Sequence, residues 1–118
     1  MNYKTNILLI EFDRILSNSI IHVLERAGFY TIHTSTIREC YSIIVENNID
    51  LIILDIRFNN CEELFFCKNI TEIFNIPVVV LSTYTDIEDK LLYLDMGVSD
   101  YILKPFERSR LVDSIALL

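Results

Sequence analysis

At 118 residues, 52% of them hydrophobic and only two each Gly and Pro, the chain is sized for one domain with a real core, and disorder or low complexity is excluded. Ten Lys and Arg against 17 Asp and Glu leave a net charge of −7, which argues against nucleic-acid binding by this segment alone, because phosphate contacts need clustered cations. No apolar run approaches the roughly 18 residues of a membrane span, and Met1-Asn2-Tyr3-Lys4 lacks the pattern of a secretion signal, so a cytoplasmic protein is expected.

Ile7-Leu8-Leu9-Ile10 is apolar on both faces and reads as a buried strand running into Glu11-Phe12-Asp13. Arg14 to Ala27 follows at helical spacing, with Leu16, Ile20, Val23 and Leu24 on one side and Gly28 placed to cap it. Phe29 to His33 is a short strand, and Thr36 to Asn47 a second amphipathic helix. Asp50-Leu51-Ile52-Ile53-Leu54-Asp55 is the central strand, again apolar on both faces and ending in a carboxylate. A loop then leads to a third helix over Glu62 to Phe74, with acids in the first turn, where the helix dipole favours them.

Ile76 to Leu81 is a fourth strand closed by Ser82-Thr83, Asp86 to Met96 a fourth helix stopped by Gly97, and Tyr101-Ile102-Leu103 a fifth strand entering Lys104-Pro105. A last helix begins at Glu107. The apolar close, Ile115-Ala116-Leu117-Leu118, reads as a cut within or just after that helix, with a further domain beyond. Cys40, Cys61 and Cys67 are odd in number and lack CxxC spacing, so reduced, mostly buried thiols are expected. Five strands alternating with five helices predict an α/β, doubly wound, three-layer fold around a parallel sheet.

Such a sheet gathers its chemistry at the carboxyl ends of the strands. Glu11 and Asp13, Asp55, Ser82 and Lys104 all arrive at that rim. Clustered carboxylates require a cation, while a hydroxyl and a lysine opposite them suit the oxygens of a transferred phosphoryl group. A flavin site would need a Ser/Thr/Gly-rich loop after the first strand, which Glu11-Phe12-Asp13-Arg14 is not. Metal-free hydrolase readings lack a histidine after any acid-bearing strand end.

In these motifs, together with Gly97-Val98-Ser99-Asp100-Tyr101 and Lys104-Pro105-Phe106, the chain resembles the receiver domains of two-component response regulators, nearest the OmpR/PhoB-type transcription regulators. The resemblance implies a flavodoxin-like (βα)5 sandwich over residues 1–118, of strand order 2-1-3-4-5. It implies a signalling module rather than an enzyme, with a sensor histidine kinase as possible partner and a homodimer as assembly. DNA would be reached only through a further winged-helix domain. By resemblance, Asp55 is the phosphoacceptor, Ser82 the switch hydroxyl, Tyr101 the switch aromatic, and Lys104 the phosphate-binding lysine joined to Pro105 by a cis peptide.

The family's cofactor is Mg2+, held by acids at the positions of Glu11, Phe12 and Asp55 and by the backbone carbonyl at Arg57. Phe12 stands where the family has a direct ligand, so weak or absent magnesium binding is expected, with Asp13 as the substitute if the loop shifts by one residue. Arg57 by itself reads as a solvent-exposed loop residue; a second reading of it has its guanidinium reach Glu11 or Asp55 and stand in for the missing cation. Two readings follow: a dimerisation and signalling module with impaired phosphorylation, or a receiver still competent to accept phosphate from a kinase. The family's dimer face would carry Lys90, Leu91, Leu94, Asp100, Arg110 and Val112, with Arg110 where an acid is usual, Ser114 where a base is usual, and Lys90 opposing Arg110.

Overall fold

The computed structural model describes residues 5–118; Met1 to Lys4, on which the absence of a secretion signal was argued, lie outside the described residues. Five strands, β1 (Asn6–Ile10), β2 (Tyr30–Thr34), β3 (Leu51–Asp55), β4 (Val78–Ser82) and β5 (Asp100–Leu103), form one parallel sheet in the order β2-β1-β3-β4-β5. Helices α1 (Arg14–Arg26), α2 (Cys40–Glu46), α3 (Cys61–Asn69), α4 (Ile87–Asp95) and α5 (Arg108–Ala116) cover its two faces. Both the fold class and the strand order match the expectation.

The continuous apolar runs have a plain cause. Successive side chains of a strand point to opposite faces, and here both faces are dry. Leu8, Ile10, Ile52, Leu54, Val78 and Val80 pack on one side with Cys40, Phe66 and Tyr93, while Ile7, Leu9, Leu51, Ile53, Val79 and Leu81 pack on the other with Ile20, Leu24 and Leu111. At about 25 cal/mol per Å2 of apolar surface removed from water, this two-sided burial is the main force assembling the layers. Cys40 and Cys67 are buried free thiols and Cys61 is exposed.

Boundaries depart from the sequence reading where local chemistry intervenes. The second helix is split into a 3-10 turn at Ile37–Glu39 and α2 proper. The third ends as an α-helix at Asn69 and continues as a π-helical turn over Ile70–Phe74, closed by Asn75 in the left-handed conformation. There Thr71 Oγ1 lies 2.9 Å from the carbonyls of both Cys67 and Met96, tying the widened turn to the end of α4. β4 begins at Val78, since Pro77 has no N–H to offer a ladder.

Candidate functional site

The parallel registers bring the carboxyl ends of four strands level: Ile10 pairs with Leu54, Asp55 with Leu81, and Ser82 with Leu103. Glu11, Asp55, Ser82 and Lys104 therefore emerge on one rim. Asp55 is 7% exposed and Glu11 4%. The Lys104–Pro105 peptide is cis, and Lys104 Nζ reaches back to Asp55 Oδ2 at 2.6 Å. The cation that answers Asp55 is thus Lys104.

Arg57 is not. Its guanidinium pairs with neither Glu11 nor Asp55; its carbon lies 3.4 Å over the Phe12 ring and 4.5 Å from the centre of the Phe58 ring. The guanidinium is engaged by aromatic rings instead. A weakly hydrated planar cation is attracted to exposed ring faces through their quadrupole, and Lys104 already answers Asp55.

Asp13 is also spoken for. It is the N-cap of α1, its Oδ1 accepting from the backbone N–H groups of Ile15 and Leu16. Its own N–H donates to Glu11 Oε2 at 3.0 Å. The other oxygen, Glu11 Oε1, is buried without a donor facing it. Burial, and then the neighbouring Asp55, push the Glu11 carboxyl from 4.5 up to about 8. A proton on Glu11 resolves both features, because a carboxylic acid can donate to Asp55 where a carboxylate can only repel it.

Ser82 and Tyr101 sit in a closed hydrogen-bonded set. Tyr101 is buried, with its hydroxyl 2.9 Å from both Ser82 Oγ and the Tyr84 carbonyl oxygen, and Tyr84 N–H donates to Ser82 Oγ at 2.8 Å. A phenol has one proton and a carbonyl can only accept, so when Tyr101 donates to Tyr84, the Ser82 hydroxyl is the group that donates to Tyr101. The Tyr84 hydroxyl lies 3.5 Å from the Arg57 carbonyl, the backbone oxygen that the resemblance assigns to the metal.

The loop after β3 is held by Glu63, whose buried carboxylate accepts from the backbone N–H groups of Arg57 (2.7 Å), Phe58 (3.2 Å) and Asn60 (3.3 Å). Sequence reasoning saw Glu63 only as a first-turn acid; the signal available was the Asn60-x-x-Glu63 capping box, which is present. Tyr84 and Phe58 were missed, and nothing in their local sequence marks them.

On the second face, Asp100 is bound within its own chain. Arg110 grips both its oxygens at 2.7 and 2.9 Å and Ser114 Oγ adds a bond at 2.7 Å. These bonds, Arg110 foremost, hold the Asp100 carboxyl down at about 2. Leu91 and Leu94 are exposed nearby, and Val112 is half-buried. Arg110 thus brings its charge to this face already paired with Asp100.

Among known proteins, the family described as "Response regulator receiver domain" matches residues 7–116. A transcriptional regulatory protein of Bacillus subtilis, YcbL, is 35% identical over 84% of this chain and 44% of its own length. The heme response regulator HssR of Staphylococcus epidermidis is 32% identical over 91% of this chain and 48% of its own. The chain thus spans about half or less of the curated relatives it matches. A response regulator from Thermotoga maritima superposes with a TM-score of 0.90 at 28% identity, covering 98% of this chain and 97% of the other. An orphan response regulator of Helicobacter pylori gives 0.85 at 27%, covering 96% and 94%.

Proposed function

Because this chain belongs to the response regulator receiver domain family, we propose that it is the signalling and dimerisation module of a transcription regulator in which magnesium-dependent phosphorylation of Asp55 is impaired. The observation that carries the reading is the position of Phe12: a ring capped by Arg57 at 3.4 Å occupies the place where the family brings a second acid.

The oxygens present fit a magnesium ion poorly. Magnesium demands a near-ideal octahedron of oxygen ligands and tolerates little distortion. Asp55 Oδ2 is held by Lys104, Glu11 Oε2 by the Asp13 N–H, Asp13 Oδ1 by the first turn of α1, and the Arg57 carbonyl faces the Tyr84 hydroxyl. Glu11 Oε1 is buried without a donor, and Asp55 Oδ1 is left without a protein donor. No group of three His, Cys, Asp or Glu side chains able to hold a metal forms among the described residues. In this reading Lys104 balances Asp55, Ser82 and Tyr101 are held by Tyr84, and the state of the module is set by packing. Homodimerisation uses the apolar part of the α4–β5–α5 face, with the Asp100 charge already satisfied inside each protomer.

The alternative is a receiver that takes a phosphoryl group from a histidine kinase onto Asp55, and the retention of Asp55, Ser82 and Lys104 on one rim favours it. Intact mass after incubation with acetyl phosphate and magnesium separates the two. The proposal expects no mass gain, and a dimer in analytical ultracentrifugation that acetyl phosphate leaves unchanged and Leu94→Glu breaks. Stoichiometric gain of one phosphoryl group, or a dimer that forms only with it, overturns the proposal.

A further inference from the structure

A groove of about 590 Å3 opens between α1 and α5. The two helices seat on the sheet through Ile20, Leu24, Leu111 and Ile115, but Leu16 and Phe106 stay half-buried along the groove. Its wall carries two cations, Lys104 and Arg108, and no acid, in a chain where acids outnumber bases 17 to 10. Lys104 Nζ is held by Asp55, so this lysine offers the groove its aliphatic stem. Arg108 is exposed in the first turn of α5 and forms no ion pair among the described residues. The acids on the same two helices, Glu107, Asp113 and Glu25, lie off the wall. A cation in a first turn is opposed by the helix dipole, so α5 itself gains nothing from this arginine.

The polar members of the wall gather at one end. Thr83 and Lys104 follow the carboxyl ends of β4 and β5, and Arg108 begins the helix just beyond. α1 starts at the same rim and runs away from it, carrying the apolar wall of Leu16, Ile20 and Val23 off from the charge. The stretch from Leu16 to Val23 rises about 10 Å, roughly the extended length of an eight-carbon chain. A cavity of this volume, apolar with a few polar groups at one place, has the form of a small-molecule site. Charge at one end and apolar surface along the rest select a ligand built the same way.

We infer that the groove between α1 and α5 binds a free single-chain amphiphile with an anionic head, a medium-chain carboxylate, its head at Arg108 and its chain along Leu16, Ile20 and Val23. The site is independent of phosphoryl chemistry at Asp55.

Octanoate is the probe, titrated below its micelle concentration into the nitrogen-labelled 118-residue chain while the backbone amides of Leu16, Ser19 and Phe106 and the Arg108 side-chain N–H are followed by NMR. Saturable shifts are expected. Octylammonium, the same chain with the opposite charge, is expected not to saturate, although the net charge of −7 favours it everywhere else. Arg108→Glu, which suits the helix dipole and so keeps the fold, should weaken octanoate by about tenfold or more. Ser19→Phe, an exposed change that fills the groove, should abolish the shifts, and Arg38→Glu, the same charge change off the wall, should leave affinity unchanged. Shifts that never saturate, octylammonium equal to octanoate, an equal loss in Arg38→Glu and Arg108→Glu, or unchanged affinity in both Arg108→Glu and Ser19→Phe would each overturn the site. Binding to phosphatidylglycerol vesicles that free octanoate fails to displace would assign the groove to a membrane surface and overturn it too. Melting temperatures confirm that the variants fold, and the octylammonium comparison needs no variant.

Discussion

Glu11→Gln should change how stability depends on pH, and the change can be sized from the site. In the folded chain the carboxyl titrates near 8 against 4.5 when unperturbed, because it is buried beside Asp55. Between those values the folded state binds a proton that the unfolded state has released, so stability falls as pH rises from 4.5 and levels off above 8. At about 1.4 kcal/mol per pH unit the full loss is about 5 kcal/mol. Sharing of the proton with Asp55 makes that a ceiling, and a loss of at least about 2 kcal/mol is expected. Glutamine keeps the shape, donates N–H to Asp55 as protonated Glu11 does, and cannot ionise. Urea denaturation at a series of pH values from 4 to 9, in chelator-containing buffer, should show wild type and variant equal at the acid end and the variant more stable at the alkaline end. Parallel profiles, or a variant less stable than wild type at pH 8, would refute a protonated Glu11.

Arg110→Ala should shrink the acid limb. Asp100, held at about 2 against 3.8, contributes stability above pH 3.8 that is lost as pH falls through 2; with the pair partly exposed, about 1–2 kcal/mol at neutral pH should go with the arginine, and an unchanged acid profile by calorimetry would contradict this. Gly97→Ala meets two obstacles, a φ of +96° and a new Cβ 2.9 Å from Thr71 Oγ1, so a loss of about 1–3 kcal/mol is expected in chemical denaturation, and a loss below about 0.5 kcal/mol would show that the turn relaxes freely. Phe12→Asp supplies the missing acid and releases Arg57, and should tighten magnesium binding by about tenfold or more in calorimetric titration, worth about 1.4 kcal/mol; unchanged affinity would mean that Phe12 is not what weakens the site.

The strands were legible because burial on both faces leaves short continuous apolar runs bounded by polar residues, and Leu51 to Leu54 is buried throughout. The level rim followed from that, since parallel strands of similar length must end together, and with it the meeting of Asp55 with Lys104. Helix interiors were less legible. The apolar spacing over Ile70–Phe74 suits an α-turn as well as the wider π-turn observed, and the choice is made by Thr71 reaching the end of α4, a contact far away in sequence. Arg57 lies exposed in the expected loop, and the alternative pairing with Glu11 or Asp55 does not form because Lys104 takes Asp55 and the Phe12 and Phe58 rings take the guanidinium. Tyr84 left little local trace; beyond its short-range bond to Ser82, its part is defined by Tyr101 and Arg57, which come from two other segments.

That residue sets how the rim can respond. Its N–H holds Ser82 and its carbonyl holds Tyr101, and both bonds hang on a single α-carbon. A shift of the whole loop away from the rim therefore lengthens both bonds together. At about 1 kcal/mol for each bond, the released arrangement would be populated at only a few per cent. A ligand or partner that favoured it tenfold would raise it to about a quarter, without any covalent change at Asp55.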